Sequence, residues 1–312
     1  MIVPTYNGQS YLHAALEGIV AQGDDRIEVL AIDDGSTDRT LAILDEYTTR
    51  LPLEVIPRPH FGNWTTTTNI ALSRARGDHA CFLHQDDCWL PGRLEVLKRL
   101  LTEHPRAALF LHPSWFIDVE GRRVGRWRCP LPRDGRPVAS DFVLERLLVQ
   151  NFISIPAPLF RRETVLALGG LDETLWYTAD WDLWLKLVAT GETVHWPEPL
   201  SCFRIHPLSQ TVRASSQSAR FRSQMERVFE RHMARWKPSR RRVKRQVAKA
   251  GRFSAAVNTA MVAHFHGQRA HLGRLAWQAL ALGPGGWRRF LRDSRIVERT
   301  RARLRTRNLK GP

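Results

Sequence analysis

The sequence predicts an α/β fold, a doubly wound and mainly parallel sheet flanked by helices, with a basic helical extension behind it. Three observations carry this. Apolar runs of strand length alternate with stretches of 3.6-residue periodicity through the first ninety residues. Two of those runs end in adjacent carboxylates, Asp33-Asp34 and Asp86-Asp87. From residue 213 onward the chain holds 26 Lys and Arg against 4 Asp and Glu, a net of +22, whereas the part before it is net −6. That asymmetry divides the 312 residues into a mildly acidic body, 1–212, and a basic segment, 213–312.

Ile2-Val3-Pro4 reads as a strand breaking into the Thr5-Tyr6-Asn7-Gly8 loop. Because Met1-Ile2-Val3 resembles the middle of a strand, the natural start is expected a few residues upstream, and no basic leader precedes it. Leu12, Ala15, Leu16 and Ile19 give an amphipathic helix. Residues 27–32 form a strand that ends at Asp33-Asp34-Gly35-Ser36, with Ser36 or Thr37 expected to cap the following helix. A third strand, 53–56, precedes a loop through Pro57, Pro59 and Gly62 and a helix around 69–72. The tandem threonines 65–68 read as a loop or helix start. The fourth strand, 80–83, runs into His84-Gln85-Asp86-Asp87.

Ligands of open α/β sheets bind beyond the carboxyl ends of the strands, where both acidic pairs are predicted. Adjacent carboxylates are costly to hold together without a cation, so Mg²⁺ or Mn²⁺ is a natural partner. The alternatives are a helix N-terminus before Pro91 for Asp86 and Asp87, and a turn before Gly35 for Asp34. Beyond this point come a helix over 90–101, a strand at 107–111, a hairpin around Glu120-Gly121, a helix over 142–149, a strand entered from Pro158 and a short helix closed by Gly169-Gly170. The four cysteines show neither zinc nor disulfide spacing, which reads as reduced thiols in a cytosolic protein. No apolar run reaches bilayer-spanning length.

The runs Pro4-Thr5-Tyr6-Asn7, Ile32-Asp33-Asp34-Gly35-Ser36-Thr37-Asp38 and Leu83-His84-Gln85-Asp86-Asp87 resemble the inverting glycosyltransferases of family 2. So do Gly169-Gly170-Leu171-Asp172-Glu173, Ala179-Asp180-Trp181-Asp182-Leu183-Trp184 and Phe203-Arg204-Ile205-His206, in the same order along two thirds of the chain. The resemblance implies a GT-A fold, Rossmann-like in its nucleotide-binding half. It implies that Pro4, Thr5, Tyr6 and Asp34 hold the nucleotide of a nucleotide-sugar donor, with Asp86 beside them. It further implies that Asp87 ligates Mg²⁺ or Mn²⁺, that His206 approaches the metal or diphosphate, and that Asp180 is the general base. Departures from the family pattern are His84 in place of an acid, threonines where Arg often precedes Asn69, and Lys186 where Arg is usual. A non-catalytic nucleotide-sugar-binding protein is the alternative to an enzyme.

Asp180 also reads as a cap of its helix, and Asp182 as a rival base that helical spacing turns elsewhere. His206 reads equally as a partly buried histidine before Pro207. Trp176, Trp181 and Trp184 either stack on an acceptor sugar or belong to the core. In the basic segment, helical stripes start at Phe221, at Val243, after Gly267 and at Trp287, the third ended by Gly283-Pro284-Gly285-Gly286 and the last reaching into 301–310. Three readings compete for its charge: a solvated face, an anionic membrane surface near a glycan or lipid-linked acceptor, and, last, nucleic acid, for which no recognisable module is present. A cytoplasmic protein, peripheral on the inner face of the membrane, is the expected location.

Overall fold

Apolar runs become strands where both of their faces find a layer to pack against. In the computed structural model, which describes residues 1–207, 209, 218–265 and 272–307, β1 (Ile2–Thr5), β2 (Val29–Asp33) and β3 (Leu53–Pro57) pair in parallel in the order β1-β2-β3. Residues 80–83 extend this sheet on the β1 side, through Ile2 N to Cys81 O and Leu83 N to Ile2 O, each 3.0 Å.

Alternate residues of one strand enter different cores. Val3, Val29, Ala31 and Leu83 meet α1 (Leu12–Val20), α2 (Thr40–Tyr47) and α4 (Arg93–Glu103). Ile2, Leu30, Ile32 and Phe82 face the opposite layer, which holds α3 (Trp64–Arg74), α5 (Ser140–Leu147), α6 (Arg162–Ala167) and α7 (Ala179–Val188). Burial on both faces is why these strands read as continuous apolar runs rather than alternating ones.

A second, five-stranded sheet departs from the expected parallel pattern. β4 (His79–Ala80), β6 (Leu109–Leu111), β9 (Pro137–Val138), β10 (Leu159–Arg161) and β11 (Thr193–His195) are ordered β4-β10-β6-β11-β9, and β10 runs antiparallel to both neighbours. A separate sheet, β5 (Cys88–Trp89), β12 (Ser201–Arg204), β7 (Ser114–Ile117) and β8 (Arg123–Trp127), includes the predicted hairpin as β7 and β8. Two helix ends also differ from expectation. Ser36 closes a turn by donating to Asp33, and α2 begins only at Thr40, where Asp38 Oδ1 accepts from the Thr40 amide. α10 (Leu272–Ala281) ends as expected before Gly283, which has φ +62°, but Gly283-Pro284-Gly285-Gly286 also opens the next helix, because Pro is well suited to the first helical turn, where no amide partner is lost.

The basic segment supplies α8 (Ser218–Arg235), α9 (Arg241–Phe265), α10 (Leu272–Ala281), α11 (Gly283–Ser294) and α12 (Ile296–Arg307). The expected boundary at residue 213, the turn at Gly267 and the end of the tail at 308–310 lie outside the described residues. Phe221, Met225, Val228, Phe229, Met233 and Trp236 bury the predicted stripe of α8 in the same core as α5 and α7. α9 follows closely: a Cβ on Gly251 would stand 2.4 Å from the Phe229 ring and 2.7 Å from the Leu148 carbonyl, so only glycine fits.

One ionic cluster fastens α8 to α7. Asp182, fully buried, lies 2.7 Å from Lys186 Nζ, 2.9 Å from Arg231 Nη1 and 2.8 Å from His232 Nε2. Burial alone would raise its pKa, but the hydrogen bonds from His232 and Lys186 hold it well below the usual carboxylate range. Removing the carboxylate leaves those cations uncompensated, so Asp182→Ala should lower unfolding stability by about 3 kcal/mol in urea titrations. A depressed carboxylate stabilises above its unfolded pKa of about 4. The gap between wild type and Asp182→Asn should therefore be full at neutral pH and shrink as pH falls below that value.

Candidate active site

The carboxyl ends of β1, β2 and the 80–83 segment open onto one cavity of about 1000 Å³, bordered by Pro4, Thr5, Tyr6, Asp34, Asp86, Asp87, Asp180 and His206 among others. All eight residues singled out from sequence therefore meet in one place. Each is held by a definable contact or by the strand it terminates.

At one end, Asp34 accepts hydrogen bonds from the amides of Phe61 (3.1 Å) and Gly62 (2.8 Å), and His60 Nδ1 lies 3.0 Å from its Oδ2. Gly35 has φ +78°, and a Cβ there would approach the His60 amide to 2.7 Å, so this turn needs glycine. Asp33 is committed elsewhere, to Thr5 Oγ1 and Ser36, and is fully buried. The Tyr6 ring stacks on His60, centroids 4.2 Å apart, and leaves an aromatic ledge beside the Asp34 carboxylate.

Gln85 joins this end to the acidic pair. Its Oε1 accepts from Tyr6 N at 2.8 Å and its Nε2 donates to Tyr6 O at 2.9 Å. The Thr5-Tyr6 loop and the 84–87 loop are thereby set against each other by a two-point clamp. Sequence reasoning passed over Gln85; its place between a conspicuous histidine and two aspartates was the available signal.

At the acidic pair, Asp87 Oδ1 accepts from the Arg204 amide at 3.0 Å, and Arg204 Nε donates to the Asp86 carbonyl at 2.9 Å. Asp86 Oδ2 lies 2.9 Å from His206 Nε2, so the histidine meets Asp86 rather than Asp87. The two carboxyls are pushed apart in acidity. Burial, and then the charge of Asp86, raise Asp87 well above the carboxylate range. Burial acts most strongly on Asp86 too, but the His206 hydrogen bond together with the charges of His84 and His206 offsets it and holds Asp86 low. His84 is kept neutral by burial, edge-on to Trp64.

Asp87 Oδ2 and His206 Nδ1 are buried with no hydrogen-bond partner. Two such atoms suit a hard cation, although among the described residues no three acidic, histidine or cysteine side chains converge on one point. Mg²⁺-type ions commonly take one or two carboxylates and complete their shell with substrate phosphates and water. The donor set fits a cation shared with a phosphorylated ligand.

Across the cavity, Asp180 sits in the first turn of α7. Its Oδ1 accepts from the Trp181 amide at 2.7 Å and its Oδ2 from Asn151 Nδ2 at 2.9 Å. Burial raises its pKa to about 6 against those hydrogen bonds. Thr178, not Asp180, holds the cap position of α7; Asp180 lies within the first turn and faces the cavity, whereas Asp182 points away toward α8. Asn151 was not singled out from sequence. It belongs to a loop whose Pro156 and Ala157 carbonyls are bound, at 3.2 Å each, by the buried Arg93 guanidinium. Of the three tryptophans, Trp184 is core, Trp181 is buried with one edge on the cavity, and Trp176 lines it.

The tandem threonines start α3 and are largely buried, and Asn69 then pins the glycine pair: its Oδ1 accepts from Leu171 N and its Nδ2 donates to Leu171 O, each 2.9 Å. That contact holds the 169–173 loop against α3 beside the cavity.

Residues 1–150 match the family model described as glycosyl transferase family 2. An uncharacterized glycosyltransferase of Haemophilus influenzae is 26% identical over 68% of this chain and 70% of its own length. An uncharacterized protein of Mycobacterium tuberculosis is 30% identical over 68% of each chain. Another from that organism is 29% identical, and the present chain spans 57% of its length. Among solved structures, S. aureus TarS 1-349 in complex with UDP-GlcNAc superposes with a TM-score of 0.64 at 20% identity, over 83% of this chain and 71% of that one. The mannosyltransferase PcManGT from Pyrobaculum calidifontis, in complex with GDP-Man and Mn²⁺, gives 0.55 at 18% identity, over 99% and 87%. The motif order read from the sequence, the sheet that gathers those motifs at one edge and these likenesses converge: the chain belongs to glycosyl transferase family 2 and has the GT-A fold.

Proposed function

We propose that this chain is an inverting hexosyltransferase that moves a sugar from a nucleoside-diphosphate donor to an acceptor hydroxyl, in the assembly of a cell-surface polysaccharide or other glycan. The observation that carries the reading is the shared cavity. Asp86 and Asp87 stand on one side of it and Asp180, with a pKa of about 6, on the other. The UDP-GlcNAc and GDP-Man complexes of TarS and PcManGT support a nucleotide-sugar donor.

In this reading the base and ribose lie between the Tyr6–His60 stack and Asp34, and the diphosphate lies toward Asp86, Asp87 and His206. Mg²⁺ or Mn²⁺ entering with the donor would be held by Asp87, with His206 and Asp86 beside it, and supplies Lewis-acid stabilisation of the departing diphosphate. Asp180 takes the acceptor hydroxyl proton as the oxygen attacks the anomeric carbon from the face opposite the leaving group. The new glycosidic bond forms as the bond to the β-phosphate oxygen breaks, and the configuration inverts. Asn151 and the Trp181 amide fix the carboxylate that receives the proton.

We place the protein on the inner face of the membrane, on a glycan or lipid-linked acceptor. Among the described residues no helix is long and apolar enough to cross a bilayer. Trp277, Leu280 and Leu291 are 73, 79 and 54% exposed on α10 and α11, in the segment of net +22. Exposed apolar side chains among basic ones suit the interface of an anionic leaflet.

With Mn²⁺ and a panel of UDP-, GDP- and dTDP-sugars, wild type should release nucleoside diphosphate. Asp180→Asn should lose about 10²- to 10⁴-fold in kcat while keeping nucleoside-diphosphate affinity. Because the base works only when ionised, kcat/KM should rise with pH through about 6 and level off above it. A flat profile from pH 5 to 8 would remove Asp180 from the role, and tight nucleotide binding without turnover would favour a binding protein. In sedimentation with vesicles, the chain should pellet with phosphatidylglycerol far more than with phosphatidylcholine, and Trp277→Ser/Leu280→Ser should reduce this. Equal, weak pelleting with both lipids would exclude the membrane surface.

A further inference from the structure

The Asp180 side of the cavity is bordered by α12, which supplies Arg299 and Arg303 to its lining. α12 lies against β8, where Ala302 is fully buried next to Gly125 and Phe116, and Arg305 Nη1 donates to the Val124 carbonyl at 2.9 Å. Anchored by that face, the helix turns Arg299 and Arg303, one turn apart, toward the cavity, and Arg220 of α8 joins its lining.

Several other arginines of these helices are neutralised locally. Arg231 pairs with Asp172 and Asp182, Arg252 with Glu230, Arg289 with Glu145 and Arg292 with Asp293. Among the described residues none of Arg220, Arg299 and Arg303 has an ion-pair partner within 4 Å. Arg299 Nη1 is moreover buried without any acceptor. The charges that face Arg299 are Arg303, which repels it, and Asp180; the Tyr177 hydroxyl is beside it. A buried donor left unmatched is costly, and a guanidinium matches a phosphate group in shape as well as charge.

We propose that Arg299 and Arg303, with Arg220, form a subsite for a phosphate group carried by the acceptor. This rests on the reading of Asp180 as the group that receives the acceptor proton. The donor diphosphate is assigned to Asp86, Asp87 and His206, and the arginines stand on the Asp180 side, where the acceptor enters. A phosphate there would hold an acceptor with its hydroxyl at Asp180. It would also relieve the repulsion between Arg299 and Arg303. Phosphate esters of two sources share this chemistry, a lipid phosphate and a polyol phosphate.

The test titrates the full chain, saturated with nucleoside diphosphate and Mn²⁺, with farnesyl phosphate or glycerol 3-phosphate, and in parallel with farnesol or glycerol. Trp176 and Trp181, both on the cavity, give the fluorescence readout. At least one phosphate ester should bind well above its alcohol, and which one names the source. Arg299→Ala and Arg303→Ala should each weaken that binding by about tenfold or more, with nucleoside-diphosphate affinity unchanged. Arg299→Lys should recover only part of it, since an ammonium lacks the planar fork. Arg303→Ala decides alone if Arg299→Ala fails to fold. Equal binding of esters and alcohols overturns the proposal. So does a loss of nucleoside-diphosphate affinity with ester binding intact, which would assign the arginines to the donor. If no nucleoside diphosphate binds, the glycosyltransferase reading fails, and the same ester titration without nucleotide still decides the subsite.

Discussion

Two carboxylates side by side in a largely buried loop are the constraint around which this fold is arranged. Neighbouring charges of one sign cannot both ionise cheaply out of water. Here the compensation comes from the end of one distant strand, β12, and the residues just past it: Arg204 offers Asp87 its backbone amide and the Asp86 carbonyl its guanidinium, and His206 meets the Asp86 carboxylate. For that to happen β12 must lie beside β5, the two-residue strand that immediately follows the pair, with Ser201 opposite Trp89 and Cys202 opposite Cys88. The small four-stranded sheet is thus the device that delivers Arg204 and His206. β7, parallel to β12, holds its other edge. Gln85 then carries the position of this loop across to Tyr6.

The basic segment is tied to the same body by packing as much as by charge. Its first helix shares a core with α5 and α7. Gln224 of that helix accepts from the amides of Trp176 and Tyr177, which border the cavity. Gln150, another cavity residue, has its amide oxygen bound by Ser254 and Asn258 of α9. The Asp180 side of the cavity therefore depends on helices that a reading of charge alone would set apart as a tail.

Much of this was legible in the sequence because the relevant physics is local. Strands 1 to 4, the acidic ends of β2 and the 80–83 segment, and the stripes of α8 and α9 all follow from short-range apolar periodicity. What was not legible depends on partners far along the chain. The antiparallel insertion of β10 between β4 and β6 is a choice among pairings that its own residues do not encode. Gly283-Pro284-Gly285-Gly286 reads as a stop and does end α10, but that it also opens α11 follows from the proline in a first turn and from Gly286 packing on Leu282. Arg299 and Arg303 look like solvated charge until the burial of Ala302 against β8 fixes which way their face turns.

Asp180 and Asp182 show how far environment overrides residue type. They are two positions apart in the first turn of one helix, and both are removed from bulk water. Two places along a helix is about 200° of rotation, so the pair must face different surroundings. Asp182 meets three basic groups and is held ionised across the ordinary pH range, a structural anion. Asp180 meets one neutral amide, one backbone N–H and the charge of Arg299, together too little to offset burial, and its pKa rises to about 6. A carboxylate stabilised like Asp182 would be too weak a base to accept a hydroxyl proton. One stabilised less than Asp180 would stay protonated near neutral pH. The helix thus gives the two aspartates opposite surroundings through what α8 and the 151–158 loop bring to either side of it, and only those of Asp180 suit the base proposed for it.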